Sequence, residues 1–366
     1  MNSADALAVL DAPPDADVDP DELVRAAMQW HFSPDTGTPF WLERLERLDF
    51  DPRTDVRTTD DLLLFPQVVD DFRHVPVEDL LPRGYGGRAE VIGVFESGGT
   101  TGAPKRVLYL ADWMEVEMAN AMRAMDARGY PRGVHWLSMG PAGPHDYAEL
   151  TGQHARRRGG VRFAVDFDPR WVRLCLRDGR AEESERYLDH VLAQTATVLS
   201  SQRIGAIQAP PPLLERLARD ERLVDMVRDQ VQVITWCGAS MDRDTRDVLR
   251  DEVFPGIPLY GLYGSTMALG AAFERTATDD GDSVFDSPSP HVSYTVVDPD
   301  TGKPVAVGET GQVVMHHLSK SALLPNNRER DAARRVGAPD GSAGHSVADV
   351  HPLETFTGVP VITGAY

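Results

Sequence analysis

The sequence predicts an α/β protein: a mostly parallel sheet flanked by helices and extended by a β-rich annex. Three observations carry the prediction. Between Arg88 and Phe273 short apolar runs alternate with helical stretches, the pattern of strands covered on both faces by crossover helices. The first of these runs, AEVIGVFES, ends in a loop rich in glycine and threonine. After Phe273 the texture changes to HVSYTVVDPDTGKPVAVGETGQVVMHHLS, which reads as hairpins with turns at DPDTGK and GETG.

The elements follow in order. Residues 1–24 read as an acidic arm with Pro13, Pro14 and Pro20 and at most one short helix. Phe40, Leu42, Leu45 and Leu48 fall at helical spacing, and RTTDDLLLFP and PVEDLLP are short helical pieces cut by prolines. Residues 25–336 form the core, its β-rich part at about 290–320. In ADWMEVEMANAMRAMDARG, Trp113, Met114, Met118, Met122 and Met125 make a core-packing stripe. Strands and helices then alternate: VHWLSMG, YAELTGQHARRRG, VRFAVDF, AEESERYLDHVLAQTATVLSSQ, IGAIQA, LLERLARD, VQVITWCG, DRDTRDVLRDEV and PLYGLYG. Residues 337–366, rich in Gly, Pro, Ser and Asp, read as a short irregular tail.

Composition narrows the function. Among 366 residues, 37 Lys and Arg face 57 Asp and Glu, a formal charge of −20. Such a surface repels phosphate backbones and anionic lipid, so neither nucleic acid nor a membrane is the expected partner. An anionic substrate has to be met by donors concentrated in a site. Cys175 and Cys237 stand far apart with no CxxC or Cys/His cluster, so no structural zinc site and no disulfide framework is expected. The beginning of the sequence reads as neither a signal peptide nor a membrane span, and the expected location is the cytoplasm.

The most informative segment is Glu96 to Lys105, ESGGTTGAPK. Glycine lets a backbone approach a phosphate closely, exposed N–H groups donate to it, and hydroxyls and one Lys add charge-assisted contacts. Lys105 follows Pro104 and precedes no Ser or Thr, so this is not a Walker A loop, and GxGxxG spacing is absent. SGGTTGAPK resembles the SSGTTGxPK loop of the adenylate-forming enzymes: acyl- and aryl-CoA ligases, adenylation domains and luciferases. Tyr263, Gly264, Ser265 and Thr266 of LYGLYGSTM are similar to the family's YGxTE motif. WCGAS, with Gly238, Ala239 and Ser240, resembles the short turn that contacts adenine, and GETGQVV followed by LLPNNRERD resembles GExGELV and the later RYRTGD motif. The resemblance covers roughly residues 37–350. Within the family, PFWLERL, TTDDLLLFP and IGAIQAPPPLLERLA are most similar to phenylacetate-CoA ligase relatives. The short length resembles the adenylating proteins of griseoluteic acid (phenazine) biosynthesis and the acyl-protein synthetases.

The resemblance implies the large N-terminal domain of these enzymes and an ATP-dependent activation of an aryl or other bulky carboxylic acid to an acyl-adenylate. It implies antibiotic biosynthesis as the setting and onward transfer to an acceptor or partner enzyme. Ser97, Gly98, Gly99, Thr100, Thr101, Gly102 and Lys105 would hold the leaving phosphates, and Thr266 would donate to the α-phosphate. Tyr263 and the turn Gly238–Ala239–Ser240 would pack on adenine, and Asp331 would accept from the ribose hydroxyls. Thr266, Lys105 and His145 are the catalytic candidates. His145, Tyr147, Gln208, Gly264 and Met267 are the candidates for the acid pocket. Other readings stand beside these: Tyr263 as a sheet-end aromatic, Asp331 as a surface charge, His145 as a helix cap, Cys237 as an inert buried thiol. Arg156, Arg157 and Arg158 read as a solvated helix end, and His316 and His317 as residues on opposite strand faces.

Two departures bear on activity. ATP and Mg²⁺ are the cofactors the resemblance implies, yet the glutamate of YGxTE, which it assigns to Mg²⁺, is Met267, and a thioether does not replace a hard oxygen ligand; either phosphates, water and other oxygens hold the Mg²⁺ or nucleotide turnover is weak. The C-terminal lid domain is expected to be absent, since the last lysine is Lys320. An acyl-protein synthetase-like transferase, a weakened nucleotide-binding member and nitrite activation are therefore carried as alternatives. Apolar surface left by an absent lid would suit a homodimer.

Overall fold

Apolar faces and proline punctuation set the beginning of the chain. The computed structural model describes residues 7–98, 103–276, 278 and 281–353, and the backbone alone of 355–356 and 359–360. Helix α1 (Pro20–Phe32) starts where Asp19 accepts the Glu22 N–H at 2.8 Å, and it buries Leu23, Val24, Met28 and Phe32. The expected arm thus gives way to packed helix at Pro20, because the DELVRAAMQWHF run carries an apolar face. Helix α2 (Pro39–Arg44) ends early in a 3₁₀ turn, Leu45–Arg47. The two proline-cut pieces are 3₁₀ turns, Asp60–Leu64 and Val77–Leu80.

Strands β1 (Val91–Glu96) and β2 (Arg106–Leu110) form an antiparallel ribbon that flanks the glycine-threonine loop. Helix α3 (Ala111–Ala127) buries Trp113, Met114, Met118 and Met125, as its stripe predicts. The alternating part follows: β3 (His135–Gly140), α4 (Asp146–Arg157), β4 (Arg162–Asp166), α5 (Pro169–Arg177), α6 (Ala181–Ser201), β5 (Ile204–Ala209), α7 (Pro211–Ala218), α8 (Glu221–Gln230), β6 (Val233–Cys237), α9 (Arg243–Asp247), β7 (Leu259–Ser265) and β8 (Gly270–Phe273). These strands make a six-stranded sheet in the order β4-β3-β5-β6-β7-β8, parallel except for β8. The order turns back between β3 and β5, which opens a crevice at the carboxyl ends of those strands.

Strands β9 (Val284–Asp286), β10 (Val292–Val297), β11 (Thr310–Leu318), β12 (Leu323–Val336) and β13 (Ser346–Pro352) make a five-stranded antiparallel sheet, ordered β10-β11-β12-β13-β9. The β-rich part therefore runs from Val284 to Pro352, well past the expected 290–320. The tail expected to be irregular from Gly337 supplies β13, which pairs with both β12 and β9. Ser346, Val347 and Ala348 are buried there, a short apolar signal masked by the Gly- and Asp-rich residues around it. Strands β14 (Thr355–Phe356) and β15 (Val359–Pro360) form a two-stranded pair.

Three aromatic side chains tie the N-terminal helices to this second sheet. The indole N–H groups of Trp30 and Trp41 donate to the carbonyls of Lys320 and Leu323 at 2.9 and 3.0 Å, and His31 Nε2 donates to Ser319 O at 2.8 Å. His317 Nδ1 donates to Ala268 O at 2.9 Å, while His316 Nδ1 accepts the Asn326 N–H at 2.9 Å, so the two imidazoles serve separate networks. Arg158 departs from the expected solvated helix end: it is buried and pairs with Asp126 at 2.9 Å, whereas Arg156 and Arg157 are exposed.

Candidate functional site

A cleft of about 650 Å³ opens at the carboxyl ends of β3, β5, β6 and β7, where β12 and β13 approach from the second sheet. It brings together Ser97, Gly98, Lys105, His145, Tyr147, Gly238, Ala239, Ser240, Tyr263, Gly264, Ser265, Thr266, Met267 and Asp331, segments far apart in sequence. Gly99, Thr100, Thr101 and Gly102 lie outside the described residues. Gln208 is buried in β5, does not line the cleft, and turns its amide toward Cys237 Sγ at 3.6 Å. Burial pushes the Cys237 thiol up to about 12, so it is a neutral thiol.

One end of the cleft is cationic. The two ends of the glycine-threonine loop are stitched together: Ser97 N–H donates to Lys105 O at 2.9 Å, and Lys105 N–H donates to Ser97 Oγ at 3.0 Å. Lys105 Nζ and the Arg73 guanidinium both reach Asp70 Oδ1 at 3.1 Å. Burial opposes ionisation of Asp70, but the two cations prevail and hold its carboxyl below the usual range. Arg173 donates to Gly98 O at 2.8 Å from the opposite side. Arg73, Lys105 and Arg173, with Asp70 beside two of them, concentrate at the loop base the cations that a chain of net charge −20 needs to receive an anion.

The other end is aromatic and acidic. Gly238 follows β6 with φ +80°, a left-handed turn that a residue with a Cβ adopts only under strain. Tyr263 O–H donates to Asp331 Oδ2 at 3.2 Å, and its ring packs against Phe285 and Tyr294 at centroid distances of 5.6 and 5.7 Å. Asp331 and Glu329 lie two residues apart on β12, so both reach the cleft, and burial raises both carboxyls. Asp331 is therefore part of the cleft wall rather than of a solvated charge run. Its register partner on β13 is Pro352.

Between the two ends stand Thr266 and the start of α4. Thr266 follows β7 and its Oγ1 donates to Asp146 Oδ1 at 3.0 Å. Burial pushes the Asp146 carboxyl up to about 6. His145 precedes α4, its Nδ1 donates to Glu96 O at 3.1 Å, and its Nε2 is buried without a hydrogen-bond partner among the described residues. Burial, with help from Arg170, lowers the His145 pKa, so the ring is neutral. Tyr147 O–H donates to Gln208 O at 2.8 Å and so bridges the gap between β3 and β5.

The chain is similar to known proteins in part of its sequence and in its fold. The model of the AMP-binding enzyme family matches residues 181–319. Phenylacetate-coenzyme A ligase from Escherichia coli (strain K12) is 24% identical over 250 residues, 67% of this chain and 51% of that protein, so the chain spans about half the length of this curated relative. Among solved structures, 2-hydroxyisobutyryl-CoA ligase in the postadenylation state with 2-HIB-AMP superposes with a TM-score of 0.63 at 16% identity, covering 93% of this chain and 69% of that one. The open conformation of that ligase with 2-HIB-AMP and CoA gives a TM-score of 0.61 at 16% identity, over 90% and 67% of the two chains.

The chain is similar to AMP-binding enzymes over residues 181–319. Its fold is similar to that of 2-hydroxyisobutyryl-CoA ligase over about nine-tenths of this chain. The donor set does not fit a protein-held Mg²⁺: Met267 is buried at the cleft wall and offers a thioether. Among the described residues no group of three or more His, Cys, Asp or Glu side chains is placed to hold a metal ion. Sequence reasoning missed Asp70, Arg73, Asp146, Arg173 and Glu329. Glu329 lies inside the quoted LLPNNRERD two residues from Asp331, and Asp146 stands between His145 and Tyr147, positions that were the available signal. Asp70, Arg73 and Arg173 reach the loop only through tertiary packing.

Proposed function

We propose that this chain activates a carboxylic acid with ATP, forming an acyl-adenylate and releasing pyrophosphate. The carrying observation is that one cleft holds the cationic loop base at one end and the Tyr263–Asp331 pair at the other, with Thr266 between them. In this reading a carboxylate oxygen attacks the α-phosphorus, the bond to the bridging oxygen breaks, and pyrophosphate carries away the electron pair. Two anions meet, so neutralisation and alignment are the main demands. Lys105, Arg73 and Arg173 face the β- and γ-phosphates together with Ser97 and Gly98. Thr266 meets the α-phosphate. Gly238–Ser240 and Tyr263 flank adenine, and Asp331 accepts from the ribose hydroxyls. His145, Tyr147, Gly264 and Met267 border the acid.

The finer reading is an aryl or other bulky acid in an antibiotic pathway of the phenazine type, in the cytoplasm, with transfer to an external acceptor or partner enzyme. The sequence resemblance supports that setting. An external acceptor is favoured because Cys175 and Cys237 are both buried. Met267 favours a second reading, a member that binds nucleotide and turns it over weakly. Exchange of labelled pyrophosphate into ATP, run with a panel of aryl and aliphatic acids, tests the proposal. Exchange that depends on one class of acid is the expected result. Tight AMP binding with no exchange from any acid would leave the second reading.

A further inference from the structure

The hydrogen bond between Thr266 and Asp146 has a consequence for any anion that enters the cleft. A threonine hydroxyl carries one proton. An ionised Asp146 only accepts, so it takes that proton at 3.0 Å, and Thr266 then turns lone pairs, not a donor, toward the cleft. A protonated Asp146 reverses the bond: its O–H donates to Thr266 Oγ1, and the threonine proton is free to point at a phosphate oxygen. Both residues line the cleft, and Asp146 opens α4 immediately beside His145.

We propose that Asp146 is a positioning residue that sets the direction of the Thr266 hydroxyl, and that binding of a nucleotide phosphate is thereby coupled to the uptake of one proton by Asp146. The inference rests on the nucleotide reading of the cleft. Burial and, after it, the ionised Asp146 carboxylate raise the pKa values of its titratable neighbours Tyr109 on β2, Glu117 on α3 and Cys237 on β6, and the cations that share its cleft are Lys105, Arg73 and Arg173 at the loop base. On its own element, His145 is held neutral, with its proton directed at Glu96 O. Burial already places Asp146 near neutrality, so the negative charge of a bound phosphate has only a short way to move it. No atom is lost or gained in the protein beyond this one proton, which comes from solvent.

The probe is adenosine 5′-(methyl phosphate), whose single charge does not titrate near neutrality. Its binding to the full chain is measured by calorimetry in two buffers of different ionisation enthalpy at about pH 7.5, and its affinity is followed across pH. Uptake of close to one proton is expected, with affinity falling by as much as roughly tenfold per pH unit above the Asp146 range. Asp146→Asn keeps a donor in place of the protonated acid; it is expected to bind with no proton uptake and with affinity independent of pH. Thr266→Val should abolish the coupling and lower affinity at every pH. Binding by the wild-type chain without proton uptake would overturn the coupling and leave the nucleotide reading intact. Uptake that persists in Asp146→Asn would assign the proton elsewhere and overturn it as well. No binding by the wild-type chain at any pH would overturn the nucleotide reading and the coupling together.

Discussion

The two large sheets meet at the cleft and contribute to it in different ways. The six-stranded sheet offers the ends of its strands: Pro141 to Tyr147 after β3, Pro211 and Pro212 after β5, Gly238 to Ser240 after β6, and Thr266 and Met267 after β7. Its contribution is turns, helix starts and backbone, together with the few side chains that stand on them, Thr266 among them. The five-stranded sheet offers side chains from the body of a strand, Arg328 to Asp331 of β12, with His351 and Pro352 of β13 beside them. At the Gly238–Ser240 turn the backbone does the contacting, so that strand end tolerates side-chain change, whereas Thr266 after β7 acts through its hydroxyl. A strand body acts only through its side chains and through the register that aims them. The two sheets also differ in what they bury, and that difference governs how each one fails.

Acid is expected to separate them most. His31, His291, His316, His317 and His345 lie on or against the five-stranded sheet, and His154 lies in α4 on the six-stranded sheet. Burial lowers their pKa values to about 4 for His31, His291 and His345, and to about 3 for His154, His316 and His317. The folded values lie below the unfolded value of 6.5, so the unfolded chain takes up protons first. Stability from these residues is complete above pH 6.5 and falls as pH drops toward the folded values, by about 1.4 kcal/mol per unit for each histidine. Asp146 and Glu117 have the opposite sign. Their folded values are raised to about 6 and about 8, so their contribution is full at low pH and fades as pH rises through those values. The histidines are more numerous, and the net loss between about pH 6.5 and 4.5 amounts to several kcal/mol. Urea unfolding across that range measures it. His317→Gln should flatten the profile by about 1.4 kcal/mol per pH unit. An unchanged slope would show that His317 does not carry its share.

The same contrast explains what was legible in the sequence. The alternating strands, the hairpin of β10 and β11 and the strand-end residues of the cleft all follow from local signals: apolar runs, turn residues and short motifs. Helices α5 and α8 and strand β2 are short segments between stronger patterns, and the sequence reading passed over them. Strand β13 was read as irregular tail because only Ser346, Val347 and Ala348 are buried and Gly and Asp surround them. Asp331 was legible through its motif, while Glu329 on the same face, together with Arg73 and Arg173, needed the three-dimensional packing. Gln208 was placed in the acid pocket by its position in IGAIQA, yet β5 is buried throughout and turns it inward.

A smaller change probes whether the sheets fold as one. Gly261 of β7 sits where the two pack together. A Cβ there would lie 2.6 Å from Trp236 of β6 and 2.8 Å from Phe285 of β9. Those two rings are in edge contact at 5.9 Å between centroids, and the Gly261 N–H is held by Glu274 Oε2 at 2.6 Å, so neither partner has room to withdraw. Gly261→Ala should destabilise the chain by about 1–3 kcal/mol through overpacking, with a single unfolding transition at a lower urea midpoint. Two separated transitions would show that the sheets unfold independently.

The smallest expected effect is the most direct test of strand bodies against strand ends. If the five-stranded sheet acts through side chains, truncating Asp331 removes an acceptor and leaves Tyr263 O–H without its partner. Asp331→Ala should weaken AMP binding by about 1.5 kcal/mol, roughly tenfold, in line with the loss of a hydrogen bond to a charged group. Ser240 follows the Gly238 turn, whose value lies in its φ of +80° and its exposed backbone. Ser240→Ala keeps that backbone and should change AMP affinity by no more than about 0.5 kcal/mol, the usual range for a substitution that leaves no buried group unpaired. Calorimetry with AMP on the two variants compares them directly. Equal losses would mean that the turn, too, binds through its side chain, and the division of labour between the sheets would have to be redrawn.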